Sequence, residues 1–186
     1  SANLRAVPAH LAARDAFFSG ASEYDIANAY LQACRCTENE MPYGIIAGLN
    51  QNAAVLHHYE LDKQAPQNSL SFLIDAGVDC HGYASDISRT YARDNGSDFA
   101  AMVAMLDSKQ QALVSAGAIG KSPVDLHRQS QCAMAEILIE YKILNVSVEA
   151  ALSHRTKIPT TQHTLAPEYA QRCCVRTHGA RLPNMA

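Results

Sequence analysis

The chain has 186 residues and a mass of 20.1 kDa, the length of one domain with at most a short appendage. Apolar residues make up 48% and charged residues 18%, which supplies a packed core and excludes a disordered polymer. A net charge of −3 and a pI near 6.2 leave no general basic character, so neither nucleic acid nor an anionic membrane is expected as a partner.

Taken in chain order, Pro8 to Ser19 is expected to form a helix, because proline suits a first helical position and Gly20 follows as a stop. Ser22 opens a second helix, with Asp25 three residues on in a relation like a capping box. Its expected apolar stripe is Ile26, Ala29, Tyr30 and Ala33. The period then changes. Tyr43 to Leu49 and Ala53 to Leu56 are short apolar runs with asparagines between them, expected as a pair of strands. Leu70 to Ala76 and Tyr83 to Tyr91 are expected as two more, joined by the glycine-bracketed hairpin connection Gly77 to Gly82.

Helices return after Asn95-Gly96. Ser97 is placed to cap one that carries Phe99, Met102, Val103 and Leu106. Ser122-Pro123 opens another, expected to run to about Leu144 and to bury Val124, Ala133, Ile137 and Leu138. Two helices, about four strands and two helices predict an α+β domain whose antiparallel or mixed sheet is covered by helices. A composition break falls near residue 153: residues 1–153 carry a net −7, and residues 154–186 a net +4 with three prolines. The division expected is a folded part over 1–153 and a divergent basic tail over 154–186.

The stretch from Met41 to Tyr59 is the longest without Asp, Glu, Lys or Arg, but Pro42, three polar amides and two histidines exclude a membrane span. Ser1-Ala2-Asn3-Leu4-Arg5 has neither an initiator Met nor an apolar leader, which suggests a processed product or a piece of something longer. Six cysteines at 34, 36, 80, 132, 173 and 174 offer no zinc spacing and are expected to be free thiols in a reducing compartment.

Chemistry concentrates in Ile74-Asp75-Ala76-Gly77 and Gly82-Tyr83-Ala84-Ser85-Asp86-Ile87-Ser88-Arg89-Thr90. Asp75 sits inside an apolar strand, where a carboxylate is costly unless paired or metal-bound. Asp86 lies on the returning strand, so the two can approach across the hairpin. Close carboxylates repel unless they share a proton or a cation, and oxygen ligation suits Mn²⁺, Mg²⁺ or Ca²⁺. The plain alternative is one buried, hydrogen-bonded Asp and one exposed Asp. His57 and His58 follow an apolar run and, in a strand, would point to opposite faces.

Four blocks carry a resemblance. They are Met41-Pro42-Tyr43-Gly44, Leu49 to His57, Ser71 to Gly77 and Gly82 to Thr90. Together with Ser19 to Ile26 they resemble the bacterial Xaa-Pro dipeptidases, the prolidases of the pita-bread metallopeptidase family, which include the organophosphorus acid anhydrolases. The resemblance spans residues 1 to 150. It implies a partial pita-bread catalytic domain from a cytoplasmic, usually dimeric hydrolase that cleaves dipeptides with C-terminal proline, using two Mn²⁺ ions. By the same resemblance Asp75 would bind one metal, Asp86 would bridge both, His57 would help stabilise the transition state, and Tyr43 would line the substrate pocket. His58 stands where close relatives carry Tyr. The family pattern also needs a His from a His-Gly-x-Gly-His stretch and two later Glu. His178-Gly179-Ala180-Arg181 does not match that stretch, and Glu168 is the only Glu after Glu149. Leu165 to Glu168, Arg172-Cys173 and Leu182 to Met185 faintly resemble a later family segment; internal loss, omitted segments and chance all remain open readings of that echo. An inactive, prolidase-derived binding or dimerisation module is the alternative function.

Overall fold

The computed structural model describes residues 1–117, 120 and 122–153. The basic segment 154–186, with Cys173, Cys174 and His178, lies outside the described residues. The chain divides into two compact units, Ser1–Asp94 and a second that begins at Asn95.

The first unit opens with helix α1, Ala2–Phe18. It starts six residues earlier than Pro8 suggests, so Pro8 stands inside it. Tertiary anchoring overrides the local start signal here. Ala2 and Ala6 are buried, and the Arg5 guanidinium donates to the carbonyls of Cys34 and Asp79 at 3.1 and 3.3 Å. Pro8, the seventh helical residue, removes one i→i−4 hydrogen bond, a cost that the anchoring of the first turns offsets. Ala6, Ala9, Ala13 and Phe17 are fully buried along one face, and small side chains let α1 lie close against helix α2, Glu23–Cys34. Ser22 caps α2 as expected: its hydroxyl accepts from the Asp25 amide at 3.2 Å and donates to the Asp25 carboxylate at 2.6 Å. The buried face holds Ile26, Ala27, Tyr30 and Cys34, while Ala33 is exposed and Ala29 only half-buried. The expected stripe was rotated, because Glu23 and Cys34 were not counted as inward positions.

Three strands form the main antiparallel sheet in the order β1, Ile46–Leu49; β2, Ser71–Ala76; and β5, Ile87–Ala92. Asp75 lies opposite Ile46 on one side and Ser88 on the other. Between β2 and β5 the short strands β3, Asp79–Cys80, and β4, Tyr83–Ala84, make a separate hairpin. Its turn residues, His81 and Gly82, have φ of 58° and 81°, the positive pair that a tight hairpin favours. Phe72, Ile74 and Ala76 face α1 and α2 in the main core. Phe72 stacks on Phe17 with centroids 5.4 Å apart, and on Tyr91 at 5.9 Å. Alternation sends Leu73 and Asp75 to the opposite face, where Leu73 clusters with Ile46 and Ala53.

Two expected strands of this unit also need correction. Ala53 to Leu56 is not a strand: Asn50–Ala54 is a 3₁₀ turn. Asn50 adopts φ 52° and its side chain pairs with strand-edge groups instead, accepting from Leu70 N at 2.7 Å and donating to Asn68 O at 2.8 Å. The chain is thereby folded back after Leu49. Tyr83 to Tyr91 is likewise two strands, parted at Ser85-Asp86.

The second unit contains α3, Asp98–Ala116; α4, Pro123–Glu140; and α5, Val148–Ser153. Ser97 and Ser122 cap α3 and α4 through their hydroxyls, as expected. Phe99 and Met102 of α3 are buried, with Val103 and Leu106 half-buried. In α4, Ile137 and Leu138 are buried together with Met134 and Ala135, but Val124 is 66% exposed and Ala133 half-buried. Helix α4 stops at Glu140 rather than near Leu144. Lys142 turns left-handed at φ 56°, and the amides of Ile143 and Leu144 return to the Leu138 carbonyl. No helix among the described residues is long and apolar enough to cross a membrane.

Candidate metal centre

The end of β2 carries the candidate site. Asp75 is the fifth residue of the central strand and is 9% exposed. The Ser88 hydroxyl, opposite it on β5, donates to Asp75 Oδ2 at 2.8 Å. Asp86 precedes β5 by one residue and is exposed. Burial thus separates the two aspartates as the plain alternative has it, one inside and one outside. Tyr43 nevertheless joins them. Its hydroxyl donates to Asp86 Oδ1 at 2.9 Å, and burial first, then hydrogen bonding to Asp86 and to Asp75, pushes the phenol well above its ordinary range. It therefore stays protonated, a donor held against two acceptors.

Backbone geometry at the strand end fixes where Asp86 falls. A Cβ on Gly77 would lie 1.9 Å from the Ser85 carbonyl oxygen, so only glycine lets the chain leave β2 this close to the returning segment. Ser85 closes the join: its Oγ accepts from Val78 N at 2.8 Å, and its amide donates to Val78 O at 2.9 Å. Asp86 follows directly.

His57 is not at a strand end. It lies in the turn after the 3₁₀ segment, exposed, with its ring stacked on Tyr59 at 6.0 Å and 7°. The Tyr59 ring in turn covers Gly44, where a Cβ would meet its Cε1 at 2.9 Å. His57 and Tyr59 therefore form a wall beside the Tyr43-Gly44 backbone. Sequence reasoning passed over Ser88, Tyr59 and Glu23. Ser88 lies two residues from Asp86 on the strand paired with Asp75, and that spacing was the available signal.

Asp75 and Asp86 offer a hard divalent cation the oxygen donors it prefers. The residues fit in donor type but fall short in number, since among the described residues no three His, Cys, Asp or Glu gather as a metal-holding group. The cysteines expected to be free are so at Cys34, Cys36, Cys80 and Cys132; burial, first among its causes, pushes the Cys34 thiol up to about 11, so it is a poor soft ligand.

Comparison with known proteins shows the family and the fold. The model of metallopeptidase family M24 matches residues 1–168. An Xaa-Pro dipeptidase of Sodalis glossinidius is 43% identical over 161 residues, covering 86% of this chain and 36% of that protein. One from Xanthomonas campestris is 47% identical over 148 residues, covering 80% and 34%. The chain thus spans about a third of the length of the curated relatives it matches. Among solved structures, Escherichia coli aminopeptidase P in a low-pH form superposes with a TM-score of 0.71 at 22% identity, covering 82% of this chain and 35% of that one. A zinc-substituted product complex of the same enzyme gives 0.69 at 21%, with the same coverage. These likenesses establish the α+β fold as part of a pita-bread domain. On sequence and fold together, the chain belongs to metallopeptidase family M24.

Proposed function

We propose that this chain is the part of an Xaa-Pro dipeptidase that carries the two aspartate ligands of its metal centre. Asp75 and Asp86 hold the metal, and Tyr43 and His57 face the dipeptide. The observation that carries this reading is the Tyr43 phenol held on Asp86 and against Asp75, which gathers three oxygens at the end of the central strand.

Mn²⁺ is the ion assigned to these carboxylates, on oxygen preference and family resemblance. Bound divalent ions supply a water of lowered pKa and polarise the scissile carbonyl. Asp75, steadied at Oδ2 by the Ser88 hydroxyl, and Asp86 would hold the ions. Tyr43, kept protonated, orients Asp86 and lines the pocket for one end of a dipeptide with C-terminal proline. His57 offers an imidazole to the carbonyl oxygen from the turn that Tyr59 supports. Residues 154–186 form a basic segment beyond the catalytic part, and the whole acts in the cytoplasm as a homodimer. With two of the family's five ligands, the chain by itself binds metal more weakly and turns over more slowly than a complete site.

The second reading is a prolidase-derived binding or dimerisation module without chemistry, favoured by the lack of a third metal-holding residue among those described. Proline release from an Xaa-Pro dipeptide, measured with and without Mn²⁺, separates the two. The first reading expects slow release that requires Mn²⁺ and disappears in Asp86→Ala. Equal release by the chain and by Asp86→Ala supports the module.

A further inference from the structure

The least exposed acid of the first unit is not in the candidate site. Glu23 opens helix α2 and is 1% exposed. A carboxylate withdrawn from water this far is stable only when its acceptor positions are filled. All four are. Oε1 accepts from Leu49 N at 2.7 Å and from Asn52 Nδ2 at 3.0 Å. Oε2 accepts from His58 Nε2 at 2.8 Å and from Asp62 N at 3.0 Å. An ionised carboxylate has about four such positions, so the set is complete.

The four donors come from the end of β1, the 3₁₀ turn and both sides of Tyr59. Asp62 is tied again, its carbonyl accepting from Tyr24 N at 3.1 Å and its carboxylate from Asn52 Nδ2 at 3.1 Å. His57 has no such anchor of its own among the described contacts beyond its stacking on Tyr59. Its position is set by neighbours that Glu23 holds, His58 directly and Tyr59 between His58 and Asp62.

We propose that Glu23 is the positioning residue for the His57–Tyr59 wall: through His58 and Asp62 it latches residues 55–62 to α2, so that the stacked rings stand beside Tyr43-Gly44. The functional meaning of the latch rests on the dipeptidase reading; its existence does not. Glu23 touches no substrate in this scheme and acts only through the segment it holds. His58 is the replaceable donor of the four, and any side chain that brings an N–H to Oε2 serves.

The test uses the full 186-residue chain without metal or substrate, so its outcome is independent of whether the chain hydrolyses dipeptides. Amide hydrogen exchange is followed over 55–62 and over β2, together with the ring-to-ring NMR contact between His57 and Tyr59. In Glu23→Gln the NH₂ is expected on the Oε2 side, because the His58 Nε2 can switch to accepting whereas Leu49 N and Asn52 Nδ2, which also donates to Asp62, cannot; Asp62 N then loses its acceptor. Exchange at Asp62 is expected to rise at least about tenfold, the scale of one lost charged hydrogen bond, with β2 unchanged and the His57–Tyr59 contact weakened. His58→Ala is expected to act in the same direction, and His58→Gln, which keeps an N–H, to restore the contact. The proposal is overturned if the contact persists in Glu23→Gln, or if exchange rises equally in β2, which would make Glu23 a residue of the general fold. Should Glu23→Gln not fold, the His58 pair decides: identical behaviour of His58→Ala and His58→Gln overturns it.

Discussion

Asp75 and Asp86 approach one phenol from the two ends of a hairpin connection, and without a cation their charges repel. Asp75→Asn keeps an oxygen for the Ser88 hydroxyl and removes the repulsion. In metal-free protein it is therefore expected to leave the denaturation midpoint unchanged or to raise it. A loss above about 2 kcal/mol, the scale of a disrupted buried charge network, contradicts this. His10 gives a second residue-level prediction. It is buried on α1, its Nε2 donates to Ala76 O at 3.2 Å, and burial holds its pKa below the ordinary 6.5. The folded state keeps the imidazole neutral where the unfolded chain takes up a proton. Stability is thus present in full above pH 6.5 and is lost as pH falls from there towards the folded value. Urea midpoints at pH 7.5 and 5.5 are expected to differ more for the native chain than for His10→Gln; an equal difference refutes the assignment. The aspartates and Tyr43 were legible in the sequence because a charged residue in an apolar strand and motif blocks are local signals. Ser88 was signalled only by its place on the strand paired with Asp75, and Glu23 not at all, because its backbone partners lie 26 to 39 residues away.

Elements announced by hydroxyl caps or by apolar runs with turn glycines emerged much as expected: α2, α3 and α4 start at Ser22, Ser97 and Ser122, and β2 lies within Leu70 to Ala76. Elements set by tertiary contacts did not. α1 begins before its proline because Arg5 and the buried alanines hold its first turns. The run after Asn50 becomes a turn because Asn50 pairs with the β2 edge. Two glycines of the hairpin connection show the same contrast between local and long-range causes. Gly82 has φ 81° and nothing near its absent Cβ, so Gly82→Ala costs only left-handed strain, about 1–2 kcal/mol. Gly77→Ala must push the Ser85 backbone away from 1.9 Å, and with it the Val78–Ser85 bonds and Asp86. Its loss of stability in chemical denaturation is expected to exceed that of Gly82→Ala by at least about 1 kcal/mol. Equal losses show that the strand exit has room the geometry denies.

Across the molecule, helices α1 and α2 back one face of the sheet and leave the carboxylates on the other. The first unit thus has its main core on one side of the sheet and Asp75 on the other. The chain spans about a third of the length of its curated relatives, and on the proposed reading Asp75 and Asp86 are the metal ligands it contributes, with no group of three His, Cys, Asp or Glu gathered among the described residues. The most direct test is Mn²⁺ binding by calorimetry on the 186-residue chain, with Asp86→Ala as the control. Saturable binding, near micromolar and lost in Asp86→Ala, is the result expected of a surviving metal site. Binding that Asp86→Ala leaves intact, or no binding at all, contradicts it.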